Sequence, residues 1–382
     1  MPRRGLPFRD GAPICQTAAT PAADGRITDM RLFTCTCGNT LFFDNTACTA
    51  CGRRTGWCQS CAAVTALEPA GDHWICQGTK TGGACGARVA LCRNYAQHDV
   101  CNRTVPAGHG AFCDCCRYNE TVPDLTVPGN RARWARLEAA KRRLFHTLDQ
   151  LGLPYGAEGE GVSPPLSFAF MGDRMAAQGL WRPVGEAERV YTGHADGLIT
   201  INIAEADAAE RESLRVDLGE AHRTLIGHFR HEIGHYYWDV LIKGRPEAEA
   251  EFAALFGDPQ NPPYGEALER HYRDGPPPGW EGGYVSAYAT MHPWEDWAET
   301  WALYLDIVSV LDTAANLGLI HPEPDAETDV MVRRYQTLGL VLNELNREMG
   351  LLDFVPEVIT PAIAGKLAHV RATIARGPGA TP

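Results

Sequence analysis

His231-Glu232-Ile233-Gly234-His235 places two imidazoles four residues apart, on one face of a helix, where both reach a single metal ion. The carboxylate between them can draw a proton from a water that the metal acidifies. With 13 histidines in 382 residues, such a pentad arises by chance about 0.03 times per chain. Zinc-dependent hydrolysis is therefore the expectation, provided that the chain supplies a third ligand and leaves one position open. One known solution is a third histidine six residues after the second, preceded by glycine. Position 238 is Trp and position 241 is Leu, which excludes it. The other is a glutamate from a later helix. Glu295 and Glu299 stand at i and i+4 on one face. One can bind the metal while the other accepts a hydrogen bond from a ligand histidine and fixes its tautomer.

A second chemistry is carried by cysteine. Of 14 cysteines, Cys15 stands alone, the others lie between residues 35 and 116, and none follows. Cys35, Cys37, Cys48 and Cys51 form two knuckle-like pairs around a short hairpin, Asn39 to Thr46. Four thiolates so spaced can close a tetrahedral Zn²⁺ site. Cys58, Cys61, Cys76 and Cys85 form a second set, and Cys92, Cys101, Cys113 and Cys116 a third. Cys15 and Cys115 are left over, and His73, His98 or His109 could replace a thiolate. Closed sites of this kind supply folding energy and no catalysis, so function would lie in the surface they present.

These groups need elements to hold them. Residues 1–30 read as a flexible tail, 31–125 as a small Cys-rich zinc-ribbon β module with short strands such as Thr40-Leu-Phe-Phe43, and 126–382 as the hydrolytic domain. In the last, helical spacing covers Arg131–Leu151. Strand patterns cover Leu166–Met171 and Leu198–Ile203, and the pentad sits on a helix over 220–242. Pro262-Pro263 and Gly275-Pro-Pro-Pro-Gly279 read as loops. Helices are predicted over 293–311, 325–349 and 361–376. The class is α+β, a small sheet with the active helix followed by a mainly helical C-terminal part.

The net charge of −12 weighs against a nucleic-acid partner. Residues 1–125 hold 12 Lys/Arg against 10 Asp/Glu, so the acidic excess lies with the pentad. No apolar run has membrane-spanning length, and the basic N-terminus lacks an apolar segment behind it. Many cysteines without a leader point to metal in a reducing cytoplasm.

Arg230-His-Glu-Ile-Gly-His-Tyr-Tyr-Trp238 and Ser286-Ala-Tyr-Ala-Thr-Met-His-Pro-Trp-Glu-Asp-Trp-Ala-Glu-Thr-Trp301 resemble the bacterial family of "putative zinc-binding metallopeptidases" with an N-terminal zinc-ribbon region. Cys48-Thr-Ala-Cys-Gly52, Asn119-Glu-Thr-Val-Pro-Asp124 and Asn343-Glu-Leu-Asn-Arg-Glu-Met-Gly350 extend the resemblance over nearly the whole chain. A more distant similarity, to gluzincin proteases of the anthrax lethal factor and thermolysin-like kinds, implies roles. Glu295 would be the third zinc ligand beside His231 and His235, Glu299 would support a ligand, and Tyr288 would face the reaction centre with its phenol. Glu232 would be the general base. The resemblance thus implies a gluzincin-like catalytic domain that hydrolyses a peptide or protein substrate, with one catalytic Zn²⁺ and up to three structural ones. Ribbons of this kind would recruit substrate or a protein partner. An extended substrate would pair with the edge of the Leu198–Ile203 strand.

Trp294, Trp297, Trp301 and Tyr304 read as core by their helical spacing. Gly234 reads as a close-packing position. Asp239 is either near the site or solvated, and His292 carries no assigned chemistry. Two further readings remain at this level: a protease acting on DNA-associated protein, and a retired protease fold that binds without turnover.

Overall fold

In the computed structural model the described residues are 32–80, 82–172, 190, 192–207, 224–323, 325–353, 355–356 and 358–378. The expected tail, Cys15 and the first residues of the expected 220–242 helix lie outside them.

The cysteine-rich part is built from short antiparallel pairs. Strands β1 (Phe33–Thr34) and β2 (Thr40–Leu41) pair Phe33 with Leu41. The first knuckle thus forms the hairpin's own turn, instead of flanking a hairpin over Asn39–Thr46. Gly38 at φ +87° permits that turn, and its N–H reaches the Cys35 carbonyl at 2.8 Å. A five-stranded antiparallel sheet follows: β3 (Thr55–Cys58), β4 (Ala63–Ala70), β5 (His73–Cys76), β8 (Arg88–Leu91) and β9 (Thr104–Pro106), in that order across the sheet. The small pair β6 (Thr79–Lys80) and β7 (Gly83–Ala84) projects from it, and helix α1 (Arg93–His98) leaves β8.

The second sheet has the order β10 (Asn119–Thr121), β11 (Ser167–Met171), β13 (Leu198–Asn202), β12 (Gly193–Ala195). Strands β10, β11 and β13 run parallel, and β12 runs antiparallel to β13. Leu198–Asn202 is therefore an interior strand, and among the described residues the edge belongs to β12. The cause is a two-residue turn, Asp196-Gly197, with both residues at positive φ (47° and 88°), which folds the chain back on itself.

Helices cover this sheet and one another. They are α2 (Asn130–Gln150), α3 (Leu225–Leu241), α4 (Pro246–Phe256), α5 (Tyr264–Asp274), α6 (Pro293–Asn316), α7 (Thr328–Glu348) and α8 (Pro361–Arg376). Helices α4 and α5 were not expected. Pro246 starts the first, and Pro263 precedes the second, where a missing N–H does no harm.

The decisive packing is α3 against α6. A Cβ on Gly234 would stand 3.1 Å from Ala298 Cα and 3.1 Å from Trp301 Cβ, tighter than an ordinary contact, so glycine suits the close approach of the two helices. Trp297 Nε1 donates to the Gly234 carbonyl at 2.9 Å, and Tyr237 stacks on Trp301 with centroids 4.9 Å apart. Trp297, Trp301 and Tyr304 are core, as expected. Each such ring contributes roughly 1.5–3 kcal/mol by leaving water. At the back of the pair, Arg230 is ion-paired with Asp306 and donates to Ser309 Oγ at 2.6 Å. Burial of that guanidinium pushes its pKa down to about 10.

The core is continuous across the sequence boundary near residue 125. Cys92, Cys101, Cys113 and Cys116 share one buried cluster with Trp134 and Leu144 of α2 and with Phe229 and Ile233 of α3. The first two cysteine sets lie in smaller clusters of their own.

Candidate metal centre

Helix α3 begins at Thr224, whose hydroxyl accepts from Gly227 N at 3.0 Å. Along its inner face His228, His231, Glu232 and His235 follow the i, i+3, i+4, i+7 spacing. Helix α6 begins at His292, whose Nδ1 accepts from Trp294 N at 3.1 Å, with Pro293 at the first helical position. That cap is the role the sequence left open for His292. It fixes the first turn of α6, which carries Glu295 and Asp296 where the helix dipole favours negative charge.

The crossing at Gly234 brings the two helices' polar groups to one point. His231 Nε2 lies 3.0 Å from Glu295 Oε2, His235 Nε2 lies 3.5 Å from it, and the two Nε2 atoms are 3.1 Å apart. All three side chains are buried. Glu295 Oε2 nevertheless has no hydrogen-bond partner among the described residues. One ligand atom from each of the three side chains is thus gathered around a shared point. Donors at about 2.0–2.1 Å from a tetrahedral zinc stand about 3.3–3.4 Å apart, so the triangle fits the ion.

Groups around the triangle orient it. His231 Nδ1 is 2.6 Å from Glu299 Oε1, which leaves Nε2 facing the shared point. Burial opposes charge on His231, but Glu295 and Glu299 outweigh it and hold its pKa well above the ordinary imidazole value. Burial likewise opposes charge on Glu295, and His235 and His231 outweigh it, so its pKa lies well below the carboxylate range. Proton and metal compete for these same lone pairs. His235 has no protein partner on Nδ1 among the described residues; its ring lies against Trp294 at 3.9 Å between centroids. Trp294 is thus half-buried beside a site residue, not core as expected. Asp239 pairs with Lys243 at 3.0 Å and stays out of the triangle.

Tyr288, on the turn before α6, has its ring 6.2 Å from that of His231. Three neighbours escaped the sequence reading. Tyr264 on α5 donates its hydroxyl to Glu295 Oε1 at 2.9 Å. Burial, followed by the charge of Glu295, pushes the pKa of both Tyr264 and Tyr288 up, so both phenols stay protonated donors. His228 Nε2 lies 3.9 Å from Glu232 Oε1, and its Nδ1 is paired with buried Glu205, which also takes the Thr192 hydroxyl. Glu232 itself is 5% exposed.

The cysteines assemble in three sets of four, with the grouping expected from spacing. Cys35–Cys51 and Cys37–Cys48 sulfurs are 3.7 and 3.6 Å apart, Cys58–Cys85 and Cys61–Cys76 are 4.0 and 3.6 Å apart, and Cys101–Cys113 is 3.8 Å. These separations are far beyond a disulfide bond. They match the roughly 3.8 Å between thiolates held at about 2.3 Å from a tetrahedral zinc. His73, His98 and His109 are elsewhere: beside Asp72, against Trp134, and on the Ala107 carbonyl. Cys115 is fully buried outside the sets, and burial pushes its thiol pKa up. Beside the third set, buried Lys141 and Glu138 pair at 3.1 Å, and Glu138 Oε2 is 3.9 Å from Cys116 Sγ.

No helix among the described residues is long and apolar enough to cross a membrane. Residues 130–373 match the family described as "putative zinc-binding metallo-peptidase", and residues 32–127 match a zinc-ribbon domain. The uncharacterized proteins Rv2568c of Mycobacterium tuberculosis and Mb2598c of Mycobacterium bovis are each 38% identical over 355 residues, covering 90% of this chain and 95% of the relative. No solved structure matches. The chain belongs to the zinc-binding metallo-peptidase family, with a zinc-ribbon domain at its N-terminal side.

Proposed function

We propose that this member of the zinc-binding metallo-peptidase family hydrolyses peptide bonds of a peptide or protein substrate at the His231–His235–Glu295 triangle. The observation that carries the reading is the convergence of three buried donor atoms at 3.0–3.5 Å, with Glu232 on the same helical face. A zinc ion held there supplies Lewis acidity, acidifying water and polarising a carbonyl. Glu232 takes the proton of the attacking water and passes it to the departing nitrogen. His228, backed by Glu205, stands beside the Glu232 carboxylate and limits its swing. Tyr288 offers an O–H to the oxygen on which charge develops, worth on the order of 3 kcal/mol for one such donor. Glu299 holds the His231 tautomer.

The three cysteine sets are structural zinc sites in this reading, giving four zinc ions per chain with the catalytic one. Their surfaces are where a substrate or partner protein would be held, and the net charge of −12 disfavours a nucleic-acid partner. An extended substrate would add to the edge strand β12 beside α3. Digestion of a peptide library by the zinc-loaded protein, read by mass spectrometry, tests the activity. Amide cleavage that stops on chelation and returns with zinc is the expected result. A protein with four bound zinc ions that cleaves nothing, alone or with added cellular peptides, contradicts it.

A further inference from the structure

We propose that Tyr264 is a positioning residue that commits Glu295 to bind metal through one oxygen only, keeping the fourth coordination position open. The inference rests on the metal reading of the His231–His235–Glu295 triangle. It concerns a residue from a different helix, 31 positions earlier in the chain.

The two oxygens of Glu295 have different surroundings. Oε2 faces both imidazoles, at 3.0 and 3.5 Å, and has no hydrogen-bond partner among the described residues. Oε1 accepts the Tyr264 hydroxyl at 2.9 Å. A carboxylate next to a cation can otherwise chelate through both oxygens. That would add a donor to a site needing three protein ligands and an open position. A phenolic O–H on Oε1 competes with a cation for that oxygen and restrains the rotation of the carboxylate plane.

Tyr264 is also placed unlike a packing tyrosine. A tyrosine near a protein surface commonly buries its apolar ring and turns its polar tip to water. Here the residue is 38% exposed while its hydroxyl meets a glutamate that is 2% exposed. Its ring is held edge-on by His292 at 5.3 Å and Trp294 at 6.1 Å. Those two residues set the start of α6 and the face of His235, so one aromatic cluster ties α5 to both the cap and the ligands.

The test is cobalt substitution of the full chain. The three thiolate sites are left filled with zinc, the labile site is emptied by a mild chelator, and one equivalent of Co²⁺ is added. Wild type is compared with Tyr264→Phe, and with Tyr272→Phe as an exposed control. Visible d–d bands are intense for four-coordinate cobalt and weaken when a fifth donor binds. The expected result is an intense wild-type and control spectrum, and a loss of about twofold or more in molar absorbance for Tyr264→Phe at equal cobalt content. Retained thiolate zinc and an unchanged circular dichroism spectrum show that the variant is folded. Identical spectra for wild type and Tyr264→Phe, or a weak wild-type band, overturn the proposal and leave the metal reading standing. A wild-type chain that binds no metal beyond the thiolate sites overturns both.

Discussion

Glu299 Oε1 lies 2.6 Å from His231 Nδ1, one helical turn beyond the carboxylate that meets the other nitrogen of the same ring. The imidazole is thereby held between two glutamates with different tasks. In the proposed reading, one would share the metal position and the other would fix which nitrogen faces it.

Replacing Glu299 by Ala removes the acceptor on Nδ1 and frees the His231 ring to turn and to change tautomer. Zinc affinity at the triangle is expected to fall about 10- to 100-fold, with the thiolate sites unaffected. Competition with a coloured chelator, monitored alongside total zinc content, measures this. Unchanged affinity would mean that packing alone fixes the ring.

Gly234→Ala puts a methyl group where Ala298 and Trp301 leave 3.1 Å. The helices must part, which costs about 1–3 kcal/mol of overpacking strain. Denaturant unfolding of the zinc-loaded protein should show that loss. Because α3 and α6 carry separate ligands, zinc affinity at the triangle should weaken in the same variant.

His194 on the edge strand supplies a pH dependence with a defined sign. Burial, followed by the charges of His235 and Lys243, lowers its pKa from 6.5 to about 3, and its Nε2 accepts from Gly197 N at 3.0 Å. The fold therefore requires the neutral ring. Its contribution is complete above pH 6.5 and is lost as pH falls towards 3, because the unfolded chain takes up the proton first. The slope is at most about 1.4 kcal/mol per pH unit for one proton. Unfolding free energies of wild type and His194→Gln between pH 7 and pH 4 should converge as the pH drops. Parallel curves would remove His194 from the account.

Much of the site was legible because its parts are local. The pentad, Glu295-x-x-x-Glu299 and the cysteine knuckles each place their groups through spacing within one turn or one hairpin, and the chain brings these same groups together. What escaped depends on distant parts of the chain. Glu205 meets His228 across 23 residues, and Tyr264 meets Glu295 across 31. The second was hidden further because Pro262-Pro263 reads as a loop, whereas the second proline sits at the start of α5. The Asp196-Gly197 turn folds β12 back on β13, so the strand expected at the sheet edge lies one place inside it. Trp294 kept the spacing of core residues yet faces His235, since the first turn of α6 lies at the cleft.

The most direct measurement compares wild type with Glu232→Gln on one defined peptide that wild type cleaves, at matched zinc content. Gln keeps the shape of the side chain and its place beside His228, but cannot take the proton. The account predicts a variant that holds four zinc ions as wild type does and loses at least about 100-fold in kcat/KM, the low end for a general base. Full activity in that variant, with the same zinc content, would contradict it.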